Sequence, residues 1–409
     1  MPLHPIFIVL CLNTASSHRF TTSSFHGRTL PGSDVVCSTK WTLQIGLVGL
    51  PNVGKSSLFN ALSRQNLSPA ANYPFCTIDP HKALVPIPDP YLEDLGRLAG
   101  STVLRPATLE FIDVAGLAKN AHLGEGLGNR FLGTLRSECR VLCHVVRVFE
   151  DEQVVHQQGR VDPGNDMDTI ALELLLADLS HVDRRLERSK VPDLERTTLE
   201  QVRDGLLAGT PARLLDLSTE AELSIRSMGL LTLKPVMYAF NVDEADYILE
   251  REALEATIRR IVKEHVPDAE SCPWGLVSAK IESDLALISY EEQLAYLSSL
   301  GVDESFSFVS DLLPHMAADL MGYSTVYTGP GVPSERSRTT KAHWTRPGFT
   351  AMDLAHRLHG DIAKGFLRAE VISAEHLLQH ETYASAKVRN EGKDYELQEH
   401  DVVLVKWKG

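Results

Sequence analysis

The stretch TLQIGLVGLPNVGKSSLFNALSR, residues 42–64, decides the fold. Its first half is an apolar run of strand length that ends on glycine, and its last nine residues, SSLFNALSR, read as a helix. Between them stands Gly49-Leu-Pro-Asn-Val-Gly54-Lys55-Ser56, a full GxxxxGK[ST] sequence in the strand-to-helix setting that this motif requires. Glycines let successive N–H groups turn inward around phosphate oxygens, and the helix start adds the positive end of its dipole. Lys55 can place its ammonium between the β and γ phosphates, and the Ser56 hydroxyl can ligate Mg2+. The alternative is a tight turn that merely needs glycine.

Working outward, apolar runs recur at LEFIDVAG (109–116), VLCHVVRVF (141–149), KPVMYAFN (234–241) and WGLVSA (274–279), separated by helical patterns. That rhythm is the pattern of an α/β fold with a doubly wound, mostly parallel sheet. It is interrupted between about Asp151 and Leu233. There Ile170, Leu174, Leu175, Leu179, Val182 and Leu186 repeat at helical spacing, Pro192 can start a second helix that Gly209 could end, and Thr219 with Glu222 reads as a capping box. The insertion is expected to be an antiparallel helical hairpin with a further short helix. From about Tyr323 the segments STVYT, KAHWT, FLRAEVI and DVVLVKW read as strands around a helix near Met352 to Leu358, a small α+β domain. The expected organisation is an extension (1–41), a phosphate-binding domain in two parts (42–152 and 233–321), a helical insertion (153–232) and a C-terminal domain (322–409).

Composition narrows the function. With 43% hydrophobic and 23% charged residues the 409-residue chain has the make-up of a soluble globular protein and enough length for two or three domains. A net charge of −14 opposes non-specific adhesion to nucleic acid or anionic membrane, so no membrane partner and no sequence-specific DNA partner is expected. Any RNA contact must be local, and residues 322–409, with twelve Lys/Arg against eleven acids, are the less repulsive end. The six cysteines show no CxxC pair, which argues against structural zinc and a disulfide framework. Cys139 and Cys143 lie four apart and could face each other on a helix, or be plain core residues. Pro5 to Leu12 is apolar, and the Ser/Thr/Arg/His-rich segment after it has no acid before Asp34. This composition resembles an organellar presequence, plastid-type or mitochondrial; the alternative is a cytoplasmic protein with a disordered tail.

Three later elements follow in the order that a phosphate-sensing switch requires. Thr77, in NYPFCTI, lies 22 residues after Lys55, where a loop threonine can complete a Mg2+ shell. Asp113-Val-Ala-Gly116 ends a strand: the carboxylate can hold a magnesium-bound water, and the Gly116 N–H can reach the γ-phosphate. For the base, a guanine-specific site would show NKxD, whose aspartate accepts from both guanine N1–H and the exocyclic amine. This chain has Asn241-Val-Asp-Glu244 instead. Val242 lacks the lysine stem that would lie along the base, and the Glu244 carboxylate stands one methylene further out. Adenine offers an amine donor and an acceptor at N1, so ATP is expected over GTP, read by Asn241, main-chain groups near Val242, and Ser278 in the SAK segment.

These residues together resemble the YchF or Obg-like ATPase family. The similarity covers most of residues 43–409, including GLVGLPNVGKSSLFNAL, AANYPFCTIDP, PIPDPYL, EFIDVAGL, GEGLGNRFL, HVVRVFED, LLTLKPVMY, SAKIESDL, KGFLRAEVI and EGKDYELQEHDVV. The resemblance implies a P-loop domain interrupted by a helical arm, a C-terminal ubiquitin-like TGS domain of β-grasp type, ATP hydrolysis with GTP as the weaker substrate, and nucleotide-dependent docking to the ribosome through its large subunit. Carried over by position, Asn52, Val53, Gly54, Lys55, Ser56 and Ser57 would bind phosphates, Ser56 and Thr77 the magnesium, and Asn241, Val242 and Glu244 the base. Leu117, directly after DVAG, cannot orient the attacking water as a glutamine does in many relatives of the fold. In this family a histidine from a mobile loop is proposed for that task, and His156 in EQVVHQQG matches its position. His122 in NAHLGEGLG competes for it, since either imidazole can accept a water proton near neutral pH. Glycines 124, 126 and 128 make that second loop the element expected to order with ATP. Two departures stand out: the arm carries RSKVPDLERTT (188–198) where the family has a Lys-rich connection, and TGPGVPSERSRTTKAHW (328–344) is longer and more basic than its equivalent. The competing readings are a slow ATPase switch, a GTPase with relaxed base recognition, and a nucleotide-gated binding module without hydrolysis.

Overall fold

The computed structural model describes residues 43–64, 81–87, 89–113, 127–151, 154, 159–300, 316, 320–333 and 337–408. The first half runs β1 (Leu43–Val48), α1 (Lys55–Arg64), β2 (Lys82–Pro86), α2 (Leu92–Leu98), β3 (Val103–Arg105), β4 (Thr108–Asp113), α3 (Leu127–Ser137) and β5 (Val141–Arg147). The inserted arm follows with α4 (Pro163–Leu186), α5 (Asp193–Leu207) and α6 (Thr219–Ile225). The chain then returns through β6 (Val236–Asn241), α7 (Glu244–Leu249), α8 (Arg251–His265), β7 (Trp274–Val277), α9 (Ala279–Leu285) and α10 (Tyr290–Ser299).

Six of these strands form one sheet in the order β2-β4-β1-β5-β6-β7, parallel except for β2. Strands β5 and β6 are buried along their whole length, because a parallel sheet covered by helices hides both faces of its central strands. The register places Leu47 opposite Asp113, Val48 opposite His144, and Asn241 opposite both Arg147 and Val277. The P-loop, Asp113, Arg147, Asn241 and Ser278 therefore share the carboxyl edge of the sheet, where open α/β sheets take their ligands.

The arm is a hairpin. Helix α4, with 24 residues, is ~36 Å long. It starts on Asp162, whose side chain accepts from the Asn165 N–H, with Pro163 at the first helical position. Arg185 holds α5 by a two-pronged pair with Glu195, at 2.6 and 2.8 Å. Val182, Leu199, Val202, Leu206, Ile225 and Leu230 belong to a core separate from that of the sheet. Gly209, at φ 80°, takes the left-handed turn that follows α5. The expected capping box on Thr219 is displaced by one residue: Ser218 is extended and its hydroxyl accepts from the Ala221 N–H, so Thr219 is already helical. Cys143 lies in β5, so the helical pairing with Cys139 does not form; both are buried thiols whose pKa burial pushes up to about 12.

The C-terminal part builds a second sheet from β8 (Ser324–Thr328), β9 (Thr339–Thr345), β10 (Phe366–Ser373), β11 (Arg389–Glu391) and β12 (Asp401–Trp407), with helix α11 (Ala351–Leu358) packed on it. This is the β-grasp domain expected. Its order is β11-β10-β12-β8-β9-β3, so the outermost strand is borrowed from the N-terminal half of the chain. Trp344 donates to the Thr108 carbonyl at 3.0 Å, and the Tyr327 hydroxyl to Asp89 at 2.9 Å, which ties this sheet to the start of β4 and to α2. Among the described residues no helix is long and apolar enough to cross a membrane.

Candidate functional site

The turn after β1 has the backbone that phosphate binding needs. Asn52 and Gly54 are both left-handed, at φ 62° and 96°. Asparagine tolerates that region, and glycine adopts it freely. Space also demands Gly54: a Cβ there would stand 2.2 Å from the Asn241 side-chain nitrogen. Val53 is buried and anchors the turn in the core, while Asn52, Ser56 and Ser57 remain exposed.

Lys55 is buried, and its ammonium donates to the Leu50 carbonyl at 2.6 Å. Burial lowers its pKa to about 8, and the Asp113 carboxylate pulls the other way. The ammonium is thus held inside the turn by one of the turn's own carbonyls, poised to exchange that oxygen for a phosphate. Asp113 ends β4 across from Leu47. One of its oxygens lies 3.4 Å from the Ser56 hydroxyl, long for an O–H···O contact, and the other is buried with no hydrogen-bond partner among the described residues. An orphaned carboxylate oxygen beside a hydroxyl is a donor set that suits Mg2+, a hard cation that takes one or two protein oxygens and completes its shell with water and phosphate. Ser56 would ligate it, and Asp113 would hold it through water. Among the described residues no group of three or more His, Cys, Asp or Glu side chains could hold a metal by itself.

The base-side residues gather where expected, but most of their polar groups are used within the protein. Asn241 is buried; its amide donates to the Val53 carbonyl at 2.9 Å and its oxygen accepts from the Ala279 N–H at 3.0 Å. It is a strut that joins the P-loop to the SAK segment, with one amide N–H left over. The Val242 N–H donates to the Val277 carbonyl at 2.8 Å, and Ser278 is buried as the cap of α9, accepting from the Ile281 N–H. What faces outward is Glu244, at the start of α7, paired at 2.5 Å with Lys280. Sequence reading passed over Lys280, although it is the last residue of the SAK segment. It also passed over Arg147, a charge at the end of an otherwise apolar strand. Thr77, Gly116, Leu117, His122 and His156 lie outside the described residues.

Comparison with known proteins agrees with this geometry. Residues 44–173 match a family described as 50S ribosome-binding GTPase, and residues 336–408 match a C-terminal YchF domain described as a protein of unknown function. The chain is 38% identical over 373 residues to the ribosome-binding ATPase YchF of Bacillus subtilis, covering 88% of this chain and 98% of that protein. It is equally similar, over 371 residues, to the protein of the same name from Escherichia coli O157:H7, covering 88% and 97%. Among solved structures, the Schizosaccharomyces pombe YchF GTPase superposes with a TM-score of 0.74 at 29% identity, over 90% of this chain and all of that one. A P-loop with its lysine, serine and facing aspartate, an inserted helical hairpin and a C-terminal β-grasp sheet, matched along nearly the whole length of these relatives, place the chain in the YchF family of P-loop nucleotide hydrolases.

Proposed function

We propose that this protein is a magnesium-dependent ATPase whose bound nucleotide controls its docking to the ribosome. The observation that carries the hydrolase reading is the buried Lys55 ammonium, held by the Leu50 carbonyl in the field of Asp113, whose carboxylate lies beside the Ser56 hydroxyl. In that reading the P-loop N–H groups and Lys55 hold the β and γ phosphates, and Ser56, Thr77 and Asp113 hold the metal. Mg2+ supplies charge neutralisation on the transferring phosphoryl group. Leu117 cannot position the attacking water, and His156 takes that part through a neutral imidazole nitrogen. Single-turnover hydrolysis by a His156→Ala variant tests this; an unimpaired rate would remove His156 from the mechanism.

The preference for ATP over GTP rests on Asn241-Val-Asp-Glu244 and on the pair that Glu244 makes with Lys280. A carboxylate beside an ammonium offers one acceptor and one donor, the complement of adenine's amine and N1; at the same two positions guanine presents the reverse, an acceptor at O6 and a donor at N1. Affinities of the magnesium complexes of both nucleotides decide it. ATP is expected to bind more tightly, and tighter GTP would establish the alternative of a GTPase with relaxed base recognition.

Ribosome docking is supported by the names of the B. subtilis and E. coli relatives, and the large subunit by the description of the matched P-loop family. Co-sedimentation with separated subunits, with and without ATP, tests it: nucleotide-dependent pelleting with the large subunit is expected. We further propose that residues 1–41 direct the protein to an organelle; a reporter fusion that stays diffuse in the cytoplasm would contradict this.

A further inference from the structure

The basic stretch TGPGVPSERSRTTKAHW (328–344) has no part in the nucleotide site, yet its last residues form β9, and the register of the C-terminal sheet shows what that strand brings together. Lys341 stands opposite Arg105 of β3 on one side and opposite Thr328 of β8 on the other. Paired positions project to the same face of a sheet, so Arg105, Lys341 and Thr328 make a row across three strands. His343, two residues further along β9, shares that face, and its Nε2 is bonded to the Thr328 hydroxyl at 2.8 Å. Helix α11 packs on the same face and contributes Arg357, whose guanidinium lies over the Phe349 ring at 4.4 Å and donates to the Trp344 carbonyl.

These positive charges are not matched by acids. Arg105 is exposed and Lys341 half-buried, and among the described residues the side chain of neither makes an ion pair or a hydrogen bond. Burial, then Arg105 and Arg357, lower the Lys341 pKa; burial, then Lys341 and Arg357, hold the His343 imidazole neutral. Asp353 offsets Arg357, but its carboxylate is taken up by the Thr350 N–H and hydroxyl. Like charges directly opposite each other on neighbouring strands are destabilising. In a chain of net charge −14 that has acids in excess, such a row, with the Thr328 and Thr339 hydroxyls on the same face, suits an anion that arrives from outside.

We infer that Arg105, Lys341 and Arg357 form a phosphate-binding row that grips the backbone of RNA, at a site apart from the P-loop and made jointly by β3 and the C-terminal sheet. Charge with flanking hydroxyls is the chemistry of phosphodiester contacts. A protein partner would be centred on a desolvated aromatic or aliphatic anchor, and β3 offers only Val103 as an exposed apolar side chain on this face. The row reaches phosphates and no base edges, so binding is independent of sequence and falls steeply with salt.

The test is fluorescence anisotropy of a short labelled RNA duplex titrated with the full-length protein over a range of salt concentrations, beside ATP affinity and thermal melting. Lys341→Ala and Arg105→Gln are each expected to weaken RNA binding about tenfold and to reduce the slope of log affinity against log salt by about one. ATP affinity should not change, and the melting temperature should hold or rise, since one of a set of like charges is gone. Arg368→Ala on β10, three strands from β9, should bind RNA as the wild type does. Should Lys341→Ala fail to fold, Arg105→Glu, at an exposed edge position, carries the test and should weaken binding more than Arg105→Gln. No RNA binding by the wild-type protein, unchanged binding by the Lys341 and Arg105 variants, or equal weakening by Arg368→Ala would each overturn the site. So would displacement of the RNA by polyglutamate at equal charge concentration, the behaviour of a face made for an acidic protein.

Discussion

Lys55 sets the chemistry at the scale of a single residue. Its ammonium is buried against a main-chain carbonyl, and the resulting pKa of about 8 falls within reach of ordinary buffers. A triphosphate binds the charged form and raises that pKa again. Below pH 8 the ammonium is already charged and affinity is at its full value; above pH 8 binding must take up a proton, so affinity falls by up to about tenfold per pH unit. Calorimetric titrations of magnesium-ATP between pH 7 and pH 10 should show this decline with net proton uptake on the alkaline side. A flat profile would mean that Lys55 remains fully charged without ligand. Asn241 teaches a different point. Its place in the sequence marks it as a base reader, yet its side chain spans from Val53 to Ala279, a use that depends on two segments far from it along the chain. Arg147 stands out as a charge in an apolar run, but the carbonyls that it serves, those of Phe149, Asp151 and Val154, are not encoded in any side-chain pattern.

At the scale of elements, a buried carboxylate helps to join the arm to the nucleotide domain, beside the Arg213–Asp268 and His265–Asp168 pairs. Asp178 on α4 is fully buried and accepts from Arg136 on α3 at 2.5 Å, from the Leu231 and Thr232 N–H groups at 3.1 and 2.7 Å, and from the Thr232 hydroxyl at 2.7 Å. Helix α3 is the first described element after Asp113, so the arm is fastened directly to the helix downstream of the phosphate-facing strand. Asp178→Ala would leave a half-buried guanidinium with only the Ala177 carbonyl and strip three other donors of their acceptor, a loss of roughly 3–5 kcal/mol of folding stability. Chemical denaturation of the variant measures it, and a loss under about 1 kcal/mol would show that the joint is not built on this residue. The hairpin itself was legible, because Ile170 to Leu186 carry an unbroken helical repeat. Its last cap was misplaced by one residue, since Ser218 and Thr219 have equal chemical claims to that position and only backbone conformation separates them.

For the whole molecule, the parallel sheet and its phosphate turn could be read directly, because each strand is an apolar run bounded by glycine or by a polar residue at the carboxyl edge. The joining of the two sheets could not. β3 is three residues long, too short for a period-two pattern, and its partner β9 lies more than 230 positions later. Through β3, Trp344 and Tyr327 the C-terminal sheet is bonded to the stretch that leads into β4 and so to Asp113, which gives the β-grasp domain a structural route to the phosphate site. All of this takes its meaning from a magnesium triphosphate in the turn between Gly49 and Ser56. The most direct measurement is isothermal calorimetry of ATP with the intact protein in magnesium buffer at pH 7, set beside folded Lys55→Ala. Saturable one-site binding, weakened roughly 10- to 100-fold by loss of the ammonium, is the expected result; no binding to the wild-type protein, or equal binding to both, would contradict it.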